Sequence, residues 1–251
     1  MKKAILIVSY GVANRAVWEK SLGMLEKEIK ECWPEWDVYQ AFTGQRILEK
    51  CRAQGLNMLD ESQALKKLVE HGYKKIVVLP THLVYGSEYN RVVEATKRTL
   101  VDLKVGQPLL GNDVLRKRLV EAMIREIPLQ GGETVLYVGH GTKLDDVAAY
   151  GRMEAELHKT GQVTAIVGTL DTIDLTLTRI DTKKVTVVPL LLTAGKHMNQ
   201  DICGEENSSL ASQLRKMEKQ VYCVKKGLIE YETVRQIYLD QVEELVQSFN
   251  L

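Results

Sequence analysis

The sequence predicts an α/β protein of two similar halves, each a parallel sheet with helices on both faces. Three observations carry this. Short apolar runs alternate with stretches of helical periodicity from end to end, which is the pattern of β-α units. The segment KKIVVLPTHLVYGSEYN at 74–90 lies without a gap over KKVTVVPLLLTAGKHMN at 183–199, with seven of the 17 positions identical. AILIVSYG at 4–11 lies over TVLYVGHG at 134–141 in the same way. Buried parallel strands all favour Val, Ile and Leu. The weight therefore rests on the shared frame P-x-x-L-x-x-G-x-x-x-N, because Pro and Gly are not generic strand residues.

Taken in order, the N-terminal MKKAILIVSYG places two lysines before an apolar run. That run is too short for the core of a secretory signal and no small-residue cleavage site follows, so it reads as a buried first strand at 3–9. Further strands are predicted at 38–43, 75–84 and 106–110, with helices filling the gaps. In VEHGYKK, His71 before Gly72 marks a helix C-terminus, where a cation and a following glycine are favoured. IPLQGGE at 127–133 holds the only adjacent glycine pair and sets a boundary at about residue 130, dividing the chain into 1–130 and 131–251. The second half repeats the order, with strands at 134–139, 163–169, 184–192 and 221–226. A last amphipathic helix, YETVRQIYLDQVEELVQSF, follows them.

Composition narrows the function. Lys and Arg number 34 against 33 Asp and Glu, a net charge of +1 that gives no general attraction to nucleic acid or to a membrane surface. No segment approaches the run of about 18 apolar residues that a membrane span needs. Four scattered cysteines without a C-x-x-C pair read as reduced thiols, and the expectation is a cytoplasmic protein. No G-x-G-x-x-G, G-x-x-x-x-G-K-[ST] or G-x-S-x-G is present, so dinucleotide, P-loop and hydrolase-elbow sites lack their defining residues. The cysteines do not supply the closed four-ligand set of structural zinc.

Ligands of parallel α/β sheets bind beyond the carboxyl ends of the strands. In the second half those positions are His140 in VGHGT, Asp171 in VGTLDT and His197 in TAGKHMNQD. Three metal-ligating residue types thus share one sheet edge. The first half puts Tyr10 at the place of His140 and Glu88 at the place of His197. Singly each has a structural alternative: a loop imidazole bound to backbone, an aspartate capping the helix near Thr172, a solvated loop side chain. Together they weigh more, since two of only five histidines lie at strand ends of one sheet with a carboxylate between them in sequence. His158, on a helix, reads as a surface residue and His82, inside the third strand pattern, as a core histidine. Cys203 reads as a buried thiol rather than a soft ligand.

These residues, with MKKAILIVSYG, QAFTG, THLVYGSEY, PLLG, GHGT…AAY and PLLLTAGKHMNQD in collinear order, resemble the anaerobic cobalt chelatases of cobalamin biosynthesis, the CbiK type. The resemblance covers nearly the whole chain. It implies a chelatase-like fold whose two halves face each other across a cleft, and insertion of Co²⁺ into sirohydrochlorin. It also implies His140 and His197 as metal ligands and proton acceptors, and Glu88 as a cleft carboxylate that assists them. At the place of Asp171 the family usually carries Glu; the aspartate, one methylene shorter, would reach the metal directly or through water. Because sirohydrochlorin is rich in carboxylates, Arg15, Lys143 and Lys196 in the strand-end loops are its candidate anchors, beside Tyr10. The partners implied are the tetrapyrrole and a divalent metal, Co²⁺ being a substrate, with no organic cofactor and no nucleic acid or membrane; a homo-oligomer stays open. Rival readings are the same fold inserting Fe²⁺ or Ni²⁺, a non-catalytic tetrapyrrole or metal carrier, and an α/β module that merely clamps a small molecule.

Overall fold

The computed structural model describes residues 1–127, 131–141 and 147–249. Four strands, β1 (Lys2–Ser9), β2 (Asp37–Phe42), β3 (Tyr73–Pro80) and β4 (Asp102–Val105), form a parallel sheet of order β2-β1-β3-β4. A second parallel sheet, from β5 (Glu133–Gly139), β6 (Ala165–Thr169), β7 (Lys184–Leu190) and β8 (Gln220–Cys223), has the matching order β6-β5-β7-β8. The repeat seen in the letters is thus a repeat in topology. It extends to register: Val8 stands opposite Pro80 in the first sheet, and Val138 opposite Pro189 in the second.

The two prolines sit where the ladder does not need their missing donor. Thr81 donates to Val8 O, so Pro80 faces the other side, toward β4, whose last pair is Val105 with Val78. Beyond that pair there is no partner to lose. Past each proline the two halves again use equivalent bonds: Leu109 N to His82 O and Leu110 N to Leu83 O in one, Leu228 N to Leu191 O and Ile229 N to Leu192 O in the other.

Both faces of each sheet are buried, and alternate residues of a strand serve different cores. Ile5 and Ile7 of β1 join Val135 and Tyr137 of β5 in one core shared by both halves, whereas Leu6 and Val8 face a core confined to the first half. Leu136 and Val138 face a core of the second half alone. The shared layer holds α2 (Leu22–Cys32), α6 (Asp113–Glu126), α7 (Val147–Lys159) and α10 (Glu232–Gln247). The last helix of each half packs on the other half: α6 lies against α7, and α10 lies against α2 and β3. Arg235 on α10 holds Glu28 of α2 through Nε at 2.8 Å, and the buried Tyr238 hydroxyl donates to Thr81 O at 3.0 Å. No helix among the described residues is long and apolar enough to cross a membrane.

Strand ends depart from the sequence expectation in instructive places. The apolar stretch at 106–110 is not a strand. β4 precedes it, as a short edge strand with no fully buried residue, and Leu109 and Leu110 are buried as loop residues bonded to the 82–83 backbone. β3, β7 and β8 stop at Pro80, Leu190 and Cys223, before the limits of 84, 192 and 226 set by their apolar runs. His82 therefore lies just past β3 rather than within it. His71 caps α4 (Glu61–Glu70), and Gly72 follows with φ +82°, as a C-terminal glycine should.

Candidate metal centre

His140 follows β5 directly, between glycines that packing demands. A Cβ on Gly139 would stand 2.5 Å from the Tyr150 ring. Gly141 has φ +71°, and a Cβ there would meet the Thr169 side chain at 2.6 Å. Gly141 turns the chain in the left-handed region while His140 stays exposed. Tyr10 of the first half has the same setting, half exposed and followed by Gly11 at φ +102° against Phe42.

His197 comes from a different device. After β7 the chain turns at 193–195 and enters a π-helical turn, Met198–Ile202, closed by Cys203 N to Met198 O at 2.8 Å. Met198 and Ile202 are buried and anchor the turn, leaving His197 half exposed at its head. Such wide turns are uncommon and concentrate at functional sites.

The two imidazoles meet. Their centroids are 4.6 Å apart with the planes at 87°. His140 Nδ1 lies 2.8 Å from Gly141 O, and His197 Nδ1 lies 2.6 Å from Asp201 Oδ2. A carbonyl and a carboxylate only accept, so each ring carries a proton on Nδ1; in the neutral imidazole the lone pair is then on Nε2, which has no hydrogen-bond partner among the described residues. A carboxylate behind the non-ligating nitrogen is the usual support for a metal-binding histidine. Among the described residues no group of three His, Cys, Asp or Glu side chains converges closely enough to hold a metal. Asp201 is a residue that sequence reading missed; its signal was the four-residue spacing from His197. Asp201→Ala should weaken Co²⁺ binding by ~10–100-fold in a competition titration, and unchanged affinity would show that the aspartate does not support the ligand.

The family model described as cobalt chelatase (CbiK) matches residues 3–247. The chain belongs to this family. The sirohydrochlorin cobaltochelatase of Salmonella typhimurium is 29% identical over 220 residues, covering 83% of each chain. The sirohydrochlorin cobaltochelatase CbiKC of Nitratidesulfovibrio vulgaris is 27% identical over 261 residues, covering 99% of this chain and 92% of that protein. Among solved structures, the sirohydrochlorin chelatase SirB from Bacillus subtilis subspecies spizizenii in complex with cobalt aligns with a TM-score of 0.65 at 16% identity, over 98% of this chain and 96% of that one. SirB from Bacillus subtilis with Fe³⁺ aligns with a TM-score of 0.66 at 17% identity, over 100% and 98%.

The remaining sequence candidates fall into two groups. Asp171 is exposed on the single turn Leu170–Thr172 after β6. It does not cap that turn, which Thr169 and Thr172 cap with each other, and among the described residues no hydrogen bond or ion pair joins it to either imidazole. Glu88 lies in the first turn of α5 (Ser87–Lys97) with Oε2 shielded from solvent and unpartnered. Arg15 is solvated and paired with Glu19 at 2.9 Å, and Lys196 is exposed beside His197. Lys143 lies outside the described residues.

The other histidines take structural places in this cobalt chelatase. His158 Nε2 bonds Ala165 O at 2.8 Å, tying α7 to the start of β6. His82 was not singled out as a site residue. Burial holds its imidazole down to about 4, and Nδ1 is shielded and unpartnered while Nε2 lies 3.4 Å from Thr43 Oγ1. Cys203 is a buried thiol, as its sequence context suggested.

Proposed function

We propose that this chain inserts Co²⁺ into sirohydrochlorin and that His140 and His197 perform the transfer. The observation that carries the assignment is the pair of imidazoles with centroids 4.6 Å apart, each with Nδ1 engaged and, among the described residues, Nε2 without a hydrogen-bond partner. Insertion replaces two pyrrole N–H protons with one divalent metal, so the site must release a cation and accept two protons. Neutral imidazoles suit both tasks: they bind borderline divalent ions without the tight hold of thiolates, and their lone pairs accept protons once the metal has left. In that sequence Nε2 of each ring donates to Co²⁺, Co²⁺ passes to the pyrrole nitrogens, and the vacated Nε2 atoms take up the released protons.

Asp171, on the same sheet edge, would supply a carboxylate through water as the metal arrives or leaves. Glu88, whose shielded Oε2 has no hydrogen-bond partner among the described residues, would accept or pass on a proton from the opposite half. Arg15, Lys143 and Lys196 would meet the carboxylates of the tetrapyrrole, with Tyr10 beside them at the first sheet's edge. The division of roles between the halves at about residue 130, and action in the cytoplasm, belong to the same proposal.

The test is turnover. Sirohydrochlorin absorbance followed with catalytic amounts of the protein and Co²⁺ should show many equivalents converted; a single stoichiometric change would make the protein a carrier. Parallel reactions with Fe²⁺ and Ni²⁺ rank the metals. Protons compete with the metal for the same Nε2 atoms, so activity should fall at acid pH and raising Co²⁺ should move the apparent midpoint further toward acid. An acid limb that stays fixed from limiting to saturating Co²⁺ would mean that the titrating group is not a metal ligand.

A further inference from the structure

Tyr10 follows β1 at the carboxyl edge of the first sheet and is 48% exposed, yet its ring is held in place. It rests on Gly44, the residue that opens α3 (Gln45–Ala53). A Cβ on Gly44 would stand 2.9 Å from Cζ of the ring and 2.6 Å from Tyr10 O. Gly44 has φ −72°, an ordinary conformation, so glycine is required there by the close approach of Tyr10 and not by the backbone. The two chain segments are also tied together: Thr43 N donates to Ser9 O at 2.8 Å, and Gly44 N donates to Tyr10 O at 3.0 Å.

The 43–44 segment is pinned from its other side by two helices. Arg91 of α5 donates from Nη1 to Thr43 O at 2.9 Å. The same guanidinium donates from Nε at 3.0 Å and from Nη2 at 2.9 Å to Oε1 of the buried Glu61, the first residue of α4. His82 Nε2 meets Thr43 Oγ1 at 3.4 Å. A buried ion pair adds little net stability over apolar packing of the same shape. A planar fork that grips a carboxylate and a carbonyl at once does fix a geometry.

We propose that the Glu61–Arg91 pair is a positioning device for the Tyr10 ring, locking the 43–44 segment on which the ring lies so that an aromatic face stays presented to the flat macrocycle of the tetrapyrrole. A conjugated macrocycle offers the kind of π face on which an aromatic side chain stacks with an offset. The halves then divide the work at equivalent places, Tyr10 supplying a surface where His140 supplies a nitrogen. Glu61 and Arg91 act through the ring and not on the substrate. The inference rests on the reading of sirohydrochlorin as substrate; it does not depend on which residues hold the cobalt.

The test titrates metal-free sirohydrochlorin into the intact protein, follows absorbance, and measures Co²⁺ affinity and melting temperature on the same preparations. Tyr10→Ala, Gly44→Ala and Arg91→Lys should each weaken sirohydrochlorin binding by ~3–10-fold and leave Co²⁺ affinity unchanged. Lysine keeps a cation beside Glu61, so that variant should fold, but it lacks the fork that holds Glu61 and Thr43 O in one geometry. The deciding comparison is made in the Tyr10→Ala background, where Gly44→Ala and Arg91→Lys should add nothing, because both act through the missing ring. A further ~3-fold loss there would overturn the proposal. So would unchanged binding in Tyr10→Ala, or in both Gly44→Ala and Arg91→Lys. If the unsubstituted protein took up no sirohydrochlorin, the substrate reading would fall and the proposal with it. Binding that follows the expected pattern in a protein without turnover would uphold the proposal and count against insertion alone.

Discussion

His140→Ala and His197→Ala should each reduce cobalt insertion by more than the ~10–100-fold typical of losing an outer-shell partner, with the melting temperature nearly unchanged. Both imidazoles lie outside the cores. Among the described residues His140 bonds the adjacent carbonyl, His197 bonds the solvated Asp201 and the two rings touch each other, so deleting either ring opens no cavity in a core. A double variant should be no worse than the poorer single, because two donors that hold one ion act as a unit. Turnover and thermal unfolding, measured on the same preparations, check both parts. Near-normal turnover in either single variant would remove the pair from the chemistry.

Tyr238→Ala should lower stability by about 3–5 kcal/mol, a fall of roughly 6–20 °C in melting temperature for a chain of this size. The residue is fully buried on α10, in the core shared by both halves. Its hydroxyl satisfies Thr81 O, one residue past the end of β3. Tyr238→Phe, which keeps the ring and orphans the carbonyl, should cost only ~1–3 kcal/mol. Because α10 packs on the first half while belonging to the second half of the repeat, the loss should appear as one cooperative transition moved to lower temperature. Two separated transitions would show that the halves unfold independently.

The fold was legible because its signals are local and repeated. Alternation of apolar runs and helices, and a Pro-Leu-Gly-Asn frame occurring twice, report topology without long-range information. Strand ends were less legible, since burial and strand conformation part company at them. Leu109 and Leu110 are as apolar as any strand residue, yet they are buried in a loop. The return of α10 to the first half could not be read either, because amphipathicity tells that a helix has a buried face and not which sheet covers it. Within the site, His140 and His197 could be placed by the rule that strand carboxyl ends bear ligands. Asp201 was marked only by its four-residue spacing from His197, and the π-helical turn in which the two side chains meet is one that no periodicity announces.

In the proposed centre two imidazole nitrogens hold the cobalt. Cobalt-edge X-ray absorption on the protein loaded with one equivalent of Co²⁺ tests it most directly. The predicted spectrum shows two nitrogen donors near the ~2.1 Å of first-row metal–imidazole bonds, with the outer-shell scattering of two rings that falls to one ring in His140→Ala and in His197→Ala. A spectrum with oxygen donors alone, or one whose ring scattering is unchanged in both variants, would contradict the account.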